Sequence, residues 1–164
     1  MFKHPVNAST EVTNIDKKMI QPNTIDLRID KVWRIGAGPM HMDEKKKDHR
    51  KRIAQTVDKD GNFVLEHGAC YEIQSKQHVD IAEGEIAILL GRSTFNRNGV
   101  LIVSSIYDSG FKDFAGATMY NIGGETTVKP KTRFAHLIIA EAETLHKYEA
   151  VSYTHLTLPT NREV

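Results

Sequence analysis

Residues 91–121 read GRSTFNRNGVLIVSSIYDSGFKDFAGATMYN. The stretch opens on a basic-hydroxyl cluster of Arg92, Ser93 and Thr94. It runs through an apolar segment, Val100 to Ile106, and turns at Asp108, Ser109 and Gly110. An arginine guanidinium is a planar, two-pronged donor that matches phosphate oxygens, and neighbouring hydroxyls add further donors. A carboxylate carried on a tight turn can orient or deprotonate a water. A phosphate grip and a water-holding carboxylate, joined by one apolar strand, predict chemistry on a phosphate ester.

The sequence on either side is written in strands. Ile86 to Leu90 is an apolar run leading into Arg92. Upstream, Ile25, Leu27 and Ile29 alternate with Asp26, Arg28 and Asp30, a period of two that predicts a strand with one buried face after the Pro22-Asn23 turn. Asp26 and Arg28 fall on one face. That face is either a solvated ion pair or the wall of a polar site. Lys31 to Ile35 extends the strand, with the single Trp33 expected to pack. Asp58-Lys59-Asp60-Gly61 reads as a hairpin turn rather than a calcium loop, because Thr56 and His67 would stand at its first and twelfth ligand positions. Phe63-Val64-Leu65, Tyr71-Glu72-Ile73, Val79-Asp80-Ile81 and Arg133 to Ile139 complete the predicted strands. No long segment shows a helical period. Short strands between Gly, Pro and Asp turns predict an all-β barrel or jelly-roll-like sandwich.

Composition bounds the function. The chain has 164 residues, enough for one domain with its own core. A net charge of +1 gives no global field toward nucleic acid or a membrane surface. One cysteine, Cys70, excludes an intramolecular disulfide and suits a reducing compartment. No apolar run approaches the ~20 residues of a spanning helix. The N-terminus lacks a signal-peptide apolar core. A cytoplasmic protein is expected, in the host cytoplasm if the source is viral. Residues 1–18 are polar and expected to form a loosely held arm. Residues 43–52, DEKKKDHRKR, read as a solvated loop or short exposed helix. Residues 150–164, AVSYTHLTLPTNREV, break the style of the rest. One back-translation of Val151 to Leu156 resembles a sequencing-library adapter end. The native domain is therefore expected to span residues 1–149.

Four segments in order carry a resemblance. Gln21-Pro22-Asn23-Thr24-Ile25-Asp26-Leu27-Arg28, then residues 91–99 (GRSTFNRNG), then Asp108-Ser109-Gly110-Phe111, then Arg133-Phe134-Ala135-His136-Leu137-Ile138 are similar to the motifs of the trimeric dUTPase and dCTP deaminase superfamily. The resemblance implies an all-β, β-clip or jelly-roll-like distorted barrel of the dUTPase type. It implies a homotrimer with sites at subunit interfaces and a deoxynucleoside triphosphate substrate. It implies Mg²⁺ carried on the substrate phosphates rather than held directly by protein ligands. Arg92, Ser93 and Thr94 would bind phosphate, and His136, standing where a Gln is usual, would reach it too. Asp108 would hold the attacking water. Gly110, Phe111 and Ile102 would face sugar and base, with the Phe111 ring under deoxyribose. Asp26 would sit in the water and metal shell, and Arg97 matches an arginine of the deaminase branch.

The branches part at one residue. The resemblance places a deaminase proton shuttle, a Glu, ten positions past Asp108. Thr118 stands there, and no Glu occurs between Asp108 and Gly124. A Thr hydroxyl cannot shuttle a proton near neutral pH as a carboxylate can. Hydrolysis of dUTP to dUMP and pyrophosphate is therefore the expected activity. A dCTP deaminase, alone or bifunctional, and a non-catalytic nucleotide-binding or regulatory trimer are the alternatives. No Gly-rich tail follows Ile139, so weak activity is expected of the chain as written.

Overall fold

The computed structural model describes residues 1–146 and 148. Its centre is β3 (Ile25–Ile35), whose two halves belong to different wings of one bent sheet. The first half pairs with β12 (Arg133–Glu141), setting Asp26 opposite His136 and Ile25 opposite Leu137. The second half pairs with β6 (Cys70–Asp80), setting Trp33 opposite Glu72. A register shift between Ile29 and Lys31 marks the bend. Buried Gln77 stabilises it: its Oε1 accepts the Arg28 N–H at 2.8 Å, and its Nε2 donates to the Asn14 carbonyl at 2.9 Å. Bulges of this kind re-aim a strand without losing its pairing on either side.

One wing adds β7 (Glu85–Gly91) on β12 and β9 (Ser105–Tyr107) on β7. The other adds β10 (Lys112–Asn121) on β6 and β8 (Val100–Ile102) on β10. Alternation drives the closure. On β6, Tyr71, Ile73 and Val79 face inward; on β10, Ala115, Ala117 and Met119 do. These side chains meet Leu27, Ile29, Leu89, Phe134 and Leu137 in one core. The result is the expected all-β, β-clip or jelly-roll-like architecture.

Three expectations are corrected. The apolar run 100–106 is not one strand. Val100–Ile102 joins one wing and Ser105–Tyr107 the other, so the chain crosses between wings at residues 103–104. Trp33 does not pack in the core. It is half-buried on the outer face, with the Arg52 guanidinium 4.4 Å above its ring. The arm 1–18 is not loose: Phe2–Lys3 (β1) pairs with β12 and Glu11–Val12 (β2) pairs with β6. Residues 43–52 form a solvated loop without a helix, running into β4 (Arg52–Ala54). The adapter-like tail, 150–164, lies outside the described residues. Among those described, no helix is long and apolar enough to cross a membrane.

Candidate active site

Gly91 ends β7 with no side chain because a Cβ there would lie 2.8 Å from the Ile102 Cβ. Arg92 follows, ahead of the short helix α1 (Ser93–Arg97). Its Nη1 donates to Asp26 Oδ2 at 3.2 Å. Arg133, at the start of β12, donates to the same oxygen at 2.9 Å. His136 Nδ1 donates to the other oxygen, Oδ1, at 2.8 Å. Asp26 is 0 % exposed. A carboxylate can be buried this deeply only when its charge is paired and its oxygens are hydrogen-bonded. Two permanent cations around one anion leave a net positive charge, which suits a polyanionic ligand. Arg92 makes no other side-chain hydrogen bond among the described residues, so most of its N–H donors remain available. Ser93 and Thr94 are exposed beside it. Strand register therefore brings Arg92, His136 and Asp26 together. Arg133 joins them, although its motif alone assigns it no contact. Its role follows from the shared carboxylate oxygen, which spacing alone does not reveal.

The same contacts correct the expected role of Asp26. Both oxygens are engaged and no surface is exposed, so it cannot enter a metal's water shell; Mg²⁺ needs accessible oxygens in near-octahedral array. Asp26 instead orients two guanidinium groups and an imidazole.

Asp108 lies elsewhere in the protomer. Tyr107 pairs with Ala87, so Asp108 is level with Ile86, six residues from Arg92 along β7. At ~3.3 Å per residue that is about 20 Å. Asp108 is exposed, and no hydrogen bond or ion pair of its side chain is present among the described residues. Beside it opens a cavity of about 290 Å³ lined by Ile86, Ser109, Glu143, Thr144, His146 and Tyr148, among others. Gly110 has φ +89°, and the Phe111 N–H donates to the Asp108 carbonyl at 3.0 Å. This is a type II turn, which requires positive φ at its third residue. Asp108 and Arg92 thus lie at opposite ends of β7.

Two predicted contact residues are placed differently from expectation. Ile102 is buried in the core, and its N–H is taken by Asn96 Oδ1 at 3.2 Å, so its side chain cannot line a base pocket within the protomer. Phe111 is 8 % exposed, packed against Tyr107 at 4.8 Å and Tyr148 at 6.0 Å, so no open ring face is presented to a sugar. Arg97 is exposed at the end of α1. Thr118 is half-buried on the outer face of β10, directly opposite Glu72 on β6. Glu72 pairs with Arg52 at 2.9 Å. Burial pushes its carboxyl above the usual range, against the opposing pull of Arg52.

Glu85, which begins β7 just ahead of the predicted apolar run, is the residue that sequence reasoning missed. Its carboxylate is 3 % exposed and accepts from Lys3 Nζ at 3.0 Å, Ser9 N–H at 3.1 Å, Thr10 N–H at 2.8 Å and Thr10 Oγ1 at 2.7 Å. Burial alone would raise its pKa. The Thr10 hydroxyl, Ser9 amide, Lys3 and Thr10 amide outweigh that and hold it at about 2, against the ordinary 4.5. A depressed pKa contributes stability that is fully present above pH ~4.5 and is lost as pH falls toward ~2. Glu85→Gln is expected to cost on the order of 3 kcal/mol at pH 7. Urea unfolding of both proteins should show that difference shrink as pH falls from 5 to 2. A pH-independent difference would assign the loss to packing instead.

The bent all-β sheet and the phosphate-matched guanidinium cluster define a β-clip protein of the dUTPase type. The profile of the dCTP deaminase-like family matches residues 3–142, and the chain belongs to that family. It is 25% identical over 158 residues to a "Probable deoxyuridine 5'-triphosphate nucleotidohydrolase" of Halobacterium salinarum, covering 94% of each chain. It is 30% identical over 134 residues to a protein of the same name from Methanothermobacter thermautotrophicus, covering 80% of this chain and 86% of that one. The fold is similar to that of the 2'-deoxycytidine 5'-triphosphate deaminase of Agrobacterium tumefaciens, with a TM-score of 0.63 at 16% identity. That match covers 90% of this chain and 48% of the other, so the chain spans about half its length.

Proposed function

We propose that this protein hydrolyses dUTP to dUMP and pyrophosphate in the cytoplasm, as a homotrimer. The observation that carries the reading is the pairing of an exposed, unengaged carboxylate at Asp108 with a net-positive guanidinium cluster at Arg92. The two are about 20 Å apart in one protomer, so an Asp108 from one copy must meet an Arg92 from another. Exposed Leu101, Val103, Ile106 and Ile122 offer apolar surface for that contact.

In this reading Arg92 and His136 hold phosphate oxygens, with Ser93 and Thr94 beside them. Asp26 and Arg133 keep the phosphate-binding groups aimed. Gly110 lets the backbone turn so that Asp108 faces the α-phosphorus. Asp108 accepts a hydrogen bond from a water and takes its proton as the water oxygen bonds to that phosphorus. The bond to the α–β bridging oxygen breaks, and pyrophosphate leaves. Among the described residues no cluster of His, Cys, Asp or Glu could hold a metal ion. In this reading a Mg²⁺ arrives on the triphosphate, where it neutralises phosphate charge.

One observation favours a second reading. The carboxylate missing at Thr118 has a neighbour across the strand pair, because Cβ atoms of directly opposed residues lie ~5 Å apart. Glu72 there has a raised pKa and could carry a proton to a cytosine base. One assay separates the readings: dUTP and dCTP with Mg²⁺, following pyrophosphate and ammonia separately. Pyrophosphate from dUTP without ammonia from dCTP is the expected result. If ammonia appears, Glu72→Gln should abolish it while sparing pyrophosphate release; ammonia that survives this change would remove Glu72 from the chemistry.

A further inference from the structure

Asp108 is exposed, yet the next residue, Ser109, is 3 % exposed. The Ser109 hydroxyl lies 2.6 Å from the Glu85 carbonyl and 2.8 Å from Thr144 Oγ1. A carbonyl can only accept, so the single Ser109 proton goes to Glu85. Thr144 must then be the donor in the Ser–Thr contact, since its other acceptor, the Ala142 carbonyl, is 3.5 Å away. The Ser109 carbonyl accepts the Tyr148 N–H at 2.8 Å, and the Gly110 N–H donates to the Ile81 carbonyl at 2.9 Å. The turn is therefore gripped by the start of β7, by the end of β6 and by the chain that follows β12. Asp108 contributes no side-chain contact to this arrangement, so the place of its carboxylate is inherited from the turn backbone.

The geometry points to Ser109 as a positioning residue for Asp108, with Thr144 as its hydrogen-bond donor. The segment after β12 is thereby coupled to the water-holding carboxylate. This rests on the hydrolytic reading above, in which Asp108 touches the attacking water. A misplacement of about 1 Å at a reacting group can cost ~10²-fold in rate. A turn that loses its buried hydroxyl anchor would lower turnover without weakening the phosphate grip at the far end of β7.

The test is steady-state hydrolysis of dUTP by the full chain. Ser109→Ala is expected to lower kcat about tenfold or more, with KM within about twofold. Thr144→Val should lower kcat by a smaller factor, because the Glu85 bond survives. Thr10→Val, which loosens the Glu85 carboxylate and frees the Ala82 N–H but removes no hydrogen bond of Ser109, should lower the melting temperature without changing kcat. An unchanged kcat in Ser109→Ala overturns the proposal, as does a Thr10→Val variant that loses kcat equally. Amide exchange at Gly110 and Phe111 gives a reading independent of activity. Ser109→Ala should accelerate it, and unchanged exchange overturns the positioning role. If the parent releases no pyrophosphate, the hydrolytic reading falls and the exchange result alone decides whether Ser109 holds the turn.

Discussion

Asp108→Asn is expected to lower pyrophosphate release from dUTP by a factor on the order of 10²–10⁴, the range general-base groups usually contribute. The carboxamide has the same shape but cannot take a proton from water. Asp108 is exposed and its side chain makes no contact among the described residues, so folding and melting temperature should be unchanged. Nucleotide affinity should change little, since Arg92 and His136 lie in the other half-site. Single-turnover release and calorimetric binding of a non-hydrolysable dUTP analogue read the two effects separately. Release within about threefold of the parent would mean that another group holds the water. A parent that binds nucleotide but releases no pyrophosphate from any deoxynucleoside triphosphate would instead support the non-catalytic reading.

The sequence made some of this legible and hid the rest for physical reasons. Period-two alternation at Ile25, Leu27 and Ile29 was enough to place β3, because all three are buried on one face of its first half. Gly61 and Gly110 marked their turns, because each takes a positive φ that glycine adopts without strain. The same alternation left Asp26 undecided between a solvated face and a polar wall. Its burial comes from Arg92 and Arg133, 66 and 107 residues away along the chain, and no local pattern encodes partners so distant. Val100 to Ile106 looked like one strand because hydrophobicity does not say which wing an apolar residue joins. Glu85 drew no notice because its donors, Lys3, Ser9 and Thr10, come from a polar arm that composition alone reads as loose. Glu72 escaped notice because its position opposite Thr118 depends on the β6–β10 register.

The separation of the half-sites leads to the second large effect. Arg92→Ala should remove the grip on phosphate, and Asp108→Asn the water, so each variant alone should be nearly inactive. If every site in a trimer takes Arg92 from one copy and Asp108 from its neighbour, mixed trimers behave differently. Around a threefold ring, any trimer containing both variants has one interface where an intact Arg92 meets an intact Asp108. Random assembly of equal amounts makes about three-quarters of trimers mixed, each with one working site in three. Co-refolding the two inactive proteins should therefore restore about a quarter of the parent turnover. The two proteins assayed immediately after mixing, without refolding, should stay inactive, because each preformed trimer carries only one of the variants. No restoration would mean that Arg92 and Asp108 of a single protomer serve one site. The ~20 Å between them along β7 argues against that, since a strand rising ~3.3 Å per residue cannot be shortened without breaking its pairing to β12.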